Sequence, residues 1–294
     1  MTSPVSPVVQ QLLAVLGRGV IPADTPLLSA DDLGVTRGDG CFDALRVTVD
    51  ERGTRAHYLQ EHLDRFQRSA TALGIELPPL AAWFELVDTA LAAWQVPGEA
   101  VLKLVVTRGL ESTPSPAFGY LTITSVGDYS AARRGVTAVT LTRGFSSDAF
   151  RDAPWLLGGV KTLSYATNVA AKREAALRGA DEAVFTSSDG FLLEGPTAGL
   201  VFAADDRLWT TPTAGTGVLA SVTVAALFAA ARDHDVATGE ALFTPDDAIK
   251  ADGMWLVSAI RGVLPVVALD GHEIHHDPAV TSVLAEATGF PGIR

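Results

Sequence analysis

Residues 57–74 carry apolar side chains at helical spacing, with Leu59, Leu63, Phe66 and Ala70 on one face, and Gly74 is placed to end that helix. Residues 79–94 repeat the period and predict a second amphipathic helix. The runs 42–50 (FDALRVTVD), 101–107 (VLKLVVT) and 120–126 (YLTITSV) are short, β-branched and bounded by turns, so they predict strands. Ahead of them residues 7–17 fit a short helix, and the turn-rich VTRGDGC leads into the first strand.

A polar break at 127–134 precedes another strand-like run, GVTAVTLT, at 135–142. After a loop at 146–159 that holds proline and tryptophan, helical spacing returns over 161–178. Residues 183–211 predict three short strands, separated by an Asp189-Gly190 turn and by Asp205-Asp206. A small-residue turn at 213–217 leads to an apolar helix over 223–232, and 254–260 with 263–269 make a last strand pair before the Asp270-Gly271 turn. Strands and helices do not alternate strictly, which disfavours a doubly wound sheet. The prediction is an α+β chain of two domains, 1–127 and 135–294, joined by a linker at 128–134.

The 294 residues are 48% hydrophobic and 19% charged, enough for a sizeable core and too few charges for a disordered or coiled-coil chain. A formal net charge of -12, from 34 acidic and 22 basic residues, repels phosphate backbones and argues against a nucleic-acid partner. No apolar run reaches the ~18 residues of a membrane span. The start, MTSPVSPVVQQLLAVLG, lacks the basic segment of a secretory signal. Cys41 is the single cysteine, which excludes an internal disulfide and a Cys-based zinc site. A soluble, cytoplasmic, acidic protein is expected.

Four lysines limit the choice of an amine nucleophile: Lys103, Lys161, Lys172 and Lys250. Lys172 stands among charged neighbours, Lys250 lies in an acidic helix, and Lys103 is in an apolar strand, where a snorkelling or paired lysine also fits. Lys161 follows the glycine-bearing LLGGV at the expected start of a helix. There the positive end of the helix dipole disfavours an ammonium and favours the neutral amine that a Schiff base needs. An exposed lysine is the plainer reading of the same position. Glu194 ends the apolar strand of FLLEGPT and fits either an exposed carboxylate or the partner of a protonated ring nitrogen. Val222-Thr223 open an apolar helix, where free N–H groups and a hydroxyl make an anion site or an ordinary N-cap. Arg65, in HLDR, is by itself a solvated arginine. Together an amine, a carboxylate, a helix N-terminus and an arginine are the parts that hold pyridoxal 5'-phosphate.

In their order and spacing, RGDGCFDALRV, HLDRFQRSA, VLKLVVTRG, KTLSYATN, GADEAVFTSSDGFLLEGPT, LWTTP, GVLASVT and ADGMWLVSAIRGVLPV resemble one family throughout. It is the fold-type IV pyridoxal-phosphate enzymes: branched-chain and D-amino-acid aminotransferases and 4-amino-4-deoxychorismate lyase. The resemblance implies a small N-terminal α/β domain, a larger C-terminal domain with a β-barrel-like sheet and helices, the cofactor between them, and a homodimer that completes the site. It implies that Lys161 bonds the cofactor and shuttles protons, and that Glu194 keeps the pyridine nitrogen protonated. Arg65, Val222, Thr223, Ser258 and Ala259 then form the phosphate site. Tyr165 falls near the cofactor's phenolic oxygen or the substrate, and Thr197 belongs to the same cofactor-binding set.

Two positions depart from the family pattern. Gly199 stands where asparagine is usual, and Ser221 where glycine is usual, which is acceptable if residue 221 needs no positive φ. DGCF with Arg46, and VLKLVVTRG with Lys103 and Arg108, look most like the lyase branch. That likeness implies elimination of pyruvate from aminodeoxychorismate to give 4-aminobenzoate, as in folate biosynthesis; an amino-acid aminotransferase is the alternative. Arg46, Lys103 and Arg108 are candidates for a cationic rim around a small anionic substrate. Structural ion pairs with the abundant acidic residues are the competing arrangement.

Overall fold

The computed structural model describes residues 10–292. They divide into two compact units: the chain through Gly127 together with Lys161–Ser164, and Asp128–Val160 with the chain from Tyr165. The first contains β1 (Gln11–Val15), β2 (Gly19–Ile21), α1 (Leu33–Thr36), β3 (Gly40–Asp50), β4 (Gly53–Ala56), α2 (Leu59–Ala72), α3 (Leu80–Ala93), β5 (Gly98–Thr107) and β6 (Phe118–Ser125). Its six strands lie in the order β2-β1-β6-β5-β3-β4, every pairing antiparallel, and with α2 and α3 they make the mixed α and β N-terminal unit that was expected. The helix expected at 7–17 is corrected from residue 11 onward, where β1 stands; residues 7–9 lie outside the described residues. The run QLLAV is too short for periodicity to decide, and pairing with β2 and β6 settles it.

Alternation along β3 puts Cys41, Asp43, Leu45 and Val47 on one side of the strand. Cys41, Leu45 and Val47 join Leu63, Phe66 and Ala70 of α2 and Trp83 and Val87 of α3 in one buried cluster. Phe66 and Trp83 meet edge to face, with centroids 5.0 Å apart. Each large apolar side chain buried there contributes about 1.5–3 kcal/mol.

The second unit contains α4 (Ser130–Arg134), β7 (Val136–Thr142), α5 (Ala166–Leu177), β8 (Glu182–Thr186), β9 (Gly199–Ala204), β10 (Arg207–Thr210), α6 (Val222–Asp233), β11 (Ala237–Glu240), α7 (Pro245–Lys250), β12 (Gly253–Ser258), β13 (Gly262–Leu269), β14 (His272–Glu273) and α8 (Pro278–Ala287). Its sheet runs β11-β10-β9-β12-β13-β7-β8, with β14 added to β13. Strand β7 is parallel to both β8 and β13. The stretch expected as a linker at 128–134 carries α4, and Arg133 Nε donates to the Arg261 carbonyl at 3.0 Å, which ties the helix to this unit. Asp205 and Asp206 both take positive φ (54° and 57°) in the two-residue turn joining β9 to β10, the conformation a tight hairpin needs. Among the described residues no helix is long and apolar enough to cross a membrane.

Candidate active site

Lys161 is not at a helix start, because α5 begins only at Ala166. Lys161 belongs to the first unit. Phe42 N–H donates to the Lys161 carbonyl at 3.0 Å, and Leu163 N–H to the Gly40 carbonyl at 2.9 Å. Lys161 N–H donates to Ser69 Oγ at 3.3 Å, and Thr162 bridges Cys41 in antiparallel sense. The dipole argument for a neutral amine therefore does not apply; β3 and α2 place this residue instead. Two glycines of RGDGC permit the close approach. A Cβ on Gly38 (φ +68°) would collide with Ser164, and one on Gly40 would collide with the Val106 carbonyl oxygen and come 2.7 Å from Leu163 Cδ1. Lys161 Nζ lies 4.7 Å from the centroid of the Phe42 ring, and Lys103 Nζ 5.9 Å from the same centroid.

Arg65 is corrected from a solvated arginine to a buried one. Its Nε donates to Asp43 Oδ2 at 2.8 Å and its Nη2 to Asp43 Oδ1 at 2.7 Å. Burial alone would raise the Asp43 carboxyl, but the Arg65 charge and hydrogen bonds, with His62 beside them, outweigh it and hold the group well below the usual carboxylate range. Two of the three rim candidates are engaged within the unit. Arg46 Nη2 lies 2.5 Å from Glu99 Oε1. Arg108 is bidentate to Asp39, at 2.6 and 3.1 Å, and also donates to the carbonyls of Leu73 and Gly74 just past α2. For these two the ion-pair arrangement is the one found, while Lys103 is exposed on β5.

In the second unit Glu194 is 8% exposed. Its Oε1 accepts from Arg143 Nη1 at 3.0 Å and its Oε2 from Leu219 N–H at 3.1 Å. The turn that follows it is clamped from three sides. Tyr165 Oη and Asn168 Nδ2 both donate to the Pro196 carbonyl, at 2.6 and 2.8 Å, and Arg261 Nη2 donates to Thr197 Oγ1 at 3.2 Å. Arg143 and Asn168 are missed by sequence reasoning: each is a lone polar residue whose partner becomes adjacent only on folding.

Ser221, not Thr223, caps α6: its Oγ accepts from Val224 N–H at 3.3 Å. Its φ is -76°, so a side chain is tolerated there. The N–H groups of Val222 and Thr223 have no acceptor within the helix, as the first turn of any helix dictates, and both residues are buried. Gly199 pairs with Val257 at the end of β12, one residue before Ser258, and packs against Ser221 and Val224. The expected phosphate residues Val222, Thr223, Ser258 and Ala259 thus converge on one end of β9 and β12.

The model of the family described as amino-transferase class IV matches residues 40–269. The chain belongs to that family. It is similar to the bifunctional aminodeoxychorismate lyase / D-amino acid transaminase of Mycobacterium tuberculosis, 34% identical over 94% of this chain and 96% of the relative. Among solved structures it is similar to a fold IV transaminase from Curtobacterium pusillum (36% identity, TM-score 0.87, covering 94% of this chain and 97% of that one). It is also similar to a hypothetical aminotransferase of M. tuberculosis in its PLP-bound form (35% identity, TM-score 0.87, 95% and 97% covered). Class IV amino-transferases are pyridoxal-phosphate enzymes, and the donor set here fits that cofactor. Lys161 offers an amine for its aldehyde, the Glu194 carboxylate an acceptor for a ring-nitrogen proton, and the first turn of α6 donors for a phosphate.

Proposed function

We propose that this class IV family member is a pyridoxal-phosphate-dependent 4-amino-4-deoxychorismate lyase, a cytoplasmic homodimer that acts on a small anionic substrate. The observation that carries the chemistry is Lys161, a lysine whose backbone is fixed by hydrogen bonds to β3 and α2 with its amine over Phe42. The lyase reading draws support from the 34% identity with the bifunctional M. tuberculosis enzyme and from the exposed cation Lys103 near the same ring.

When bound, the cofactor supplies the electron sink that makes the carbon bearing the substrate's amine acidic. Lys161, with its amine free, would act as the general base that takes the proton from this carbon. The electron pair of the broken C–H bond completes the aromatic ring as the neighbouring C–O bond breaks. Lys161 then returns its proton to the methylene of the departing enolpyruvyl group, so that pyruvate leaves and 4-aminobenzoate remains. Glu194, which accepts hydrogen bonds from Arg143 and Leu219 N–H, would serve as the acceptor that keeps a proton on the pyridine nitrogen, and Arg65, the N-terminus of α6, Ser258 and Ala259 would hold the phosphate. A second reading, an amino-acid transaminase of branched-chain or D-amino-acid type, draws support from the likeness to the C. pusillum transaminase, and its D-amino-acid form from the second activity in the name of the M. tuberculosis relative. In that reading Lys161 would again carry the proton, and a keto acid must follow as the acceptor of the amino group.

The test supplies aminodeoxychorismate alone to the holoenzyme and measures 4-aminobenzoate and pyruvate. Lys161→Ala is expected to abolish both turnover and the visible absorbance of the lysine-bound cofactor, whereas Lys172→Ala retains them. Transfer from a D-amino acid to a keto acid, with no 4-aminobenzoate, replaces the lyase by the transaminase. Activity in Lys161→Ala removes this lysine from the mechanism.

A further inference from the structure

Two members of a buried charged cluster in the first unit, Asp43 and His62, are not accounted for by the chemistry above. Asp43 is 0%, His62 1% and Arg65 6% exposed. Asp43 comes from β3, on the side of the strand that otherwise carries Cys41, Leu45 and Val47. His62 and Arg65 come from α2, three residues apart and so on one face of the helix, which also carries Phe66 and Ser69. Asp43 Oδ1 gathers three donors: Arg65 Nη2 at 2.7 Å, His62 Nδ1 at 2.7 Å and the N–H of Ala44 at 2.7 Å. Its Oδ2 takes Arg65 Nε at 2.8 Å.

This pairing is side-on. A guanidinium has five N–H donors in a rigid plane, and Asp43 engages the edge formed by Nε and Nη2, which fixes that plane and the direction of the Nη1 end. His62 and Ala44 in turn fix the carboxylate. A buried ion pair is a weak source of stability, because desolvation offsets most of its attraction. The cluster therefore makes more sense as a device for orientation than as a core staple. The same helix face bears Ser69, which accepts the N–H of Lys161, so the orienting element and the amine share one support.

We propose that Asp43 and His62 are positioning residues that aim the Arg65 guanidinium at the cofactor's phosphate. The proposal rests on the reading of Arg65 as a phosphate ligand. Neither residue touches the cofactor; each acts through Arg65.

The experiment titrates the cofactor-free full chain with pyridoxal 5'-phosphate and, separately, with pyridoxal, which lacks the phosphate, following the absorbance of the lysine-bound product. The quantity read is the ratio of the two affinities. Asp43→Asn keeps the shape but replaces one charged acceptor by an amide, and is expected to lower the ratio about tenfold. His62→Gln, which loosens the carboxylate while leaving the ion pair in place, is expected to lower it about two- to threefold and decides the question should Asp43→Asn fail to fold. Arg65→Gln separates the two ideas. An unchanged ratio in Arg65→Gln overturns the phosphate reading, and the proposal with it. A fall in Arg65→Gln with no fall in Asp43→Asn or His62→Gln overturns the positioning role alone. Equal loss of affinity for both ligands marks the cluster as merely structural and also overturns it.

Discussion

Gly40 is the position where a single methyl group should report on the placement of Lys161. Strand β3 begins there, β5 passes alongside, and Leu163 N–H donates to its carbonyl at 2.9 Å. An alanine Cβ would collide with the Val106 carbonyl oxygen, and would lie 2.7 Å from Leu163 Cδ1 and 3.1 Å from Thr107 Cα. The leucine methyl can rotate away, but the other two atoms are backbone of β5. Relief to ordinary van der Waals contact requires a backbone shift of roughly 1 Å, and overpacking of this size costs about 1–3 kcal/mol. The shift passes through the Gly40–Leu163 hydrogen bond to Lys161, two residues away, and a 1 Å misplacement of a reacting group lowers turnover by about 100-fold. Gly40→Ala is thus expected to lose about 1–3 kcal/mol in urea unfolding and about 100-fold in kcat, with an unchanged circular-dichroism spectrum. Gly74→Ala is the control. It sits at φ +63° with nothing within 4 Å of the new Cβ, so it carries the left-handed backbone strain, about 1–2 kcal/mol, without the collision. Wild-type kcat in Gly40→Ala, or an equal fall in Gly74→Ala, would refute the reasoning.

Arg143→Met removes the charged donor from the buried Glu194 carboxylate and is expected to cost about 1.5–3 kcal/mol in urea unfolding and to speed loss of cofactor on dialysis; unchanged values in both would show that the pair carries no weight. Burial, with the Asp43 charge adding to it, pushes the Cys41 thiol up to about 12. Native protein at pH 8 should therefore resist a thiol reagent that labels it in urea. The sign for stability follows: the unfolded thiol ionises from about 8.5 while the folded one stays protonated, so stability falls as pH rises from there towards about 12. Cys41→Ala should flatten that alkaline decline in thermal melts, and a parallel decline in both proteins would be the contrary result.

The helices α2 and α3 were legible because each shows several turns of one period, and β3, β5 and β6 because β-branched runs end in turns. The strand β1 was not, since five apolar-rich residues satisfy either period. Lys161 shows the deeper limit. Periodicity reports local structure, and the residues that hold this lysine, Gly40, Phe42 and Ser69, lie about a hundred residues earlier in the chain. A signal for Asp43 was present in the sequence. Alternation through Cys41, Leu45 and Val47 puts its carboxylate on the apolar side of β3, and a charge there requires a partner. The His62 and Arg65 pair, three residues apart beside Leu63 and Phe66, is the partner the same argument selects. For Arg108 nothing local indicates that Asp39 and the carbonyls past α2 take up its donors.

Gly199 and Ser221, the two departures from the family pattern, turn out to face each other. A Cβ on Gly199 would lie 3.4 Å from Ser221 Cβ, an ordinary van der Waals contact, and 3.1 Å from Val224 Cγ2, where the valine would have to give by a few tenths of an ångström. The Ser221 side chain has work at the helix end: its hydroxyl accepts the Val224 N–H and closes the third donor of α6. The donors that remain for an anion are then those of Val222 and Thr223, the two residues the family pattern assigns to the phosphate. The two departures are therefore neighbours in the fold, and the Ser221 cap leaves the N–H groups of Val222 and Thr223 untouched. An asparagine at 199 would bring its Cβ tight against Val224 Cγ2 in the first turn of α6.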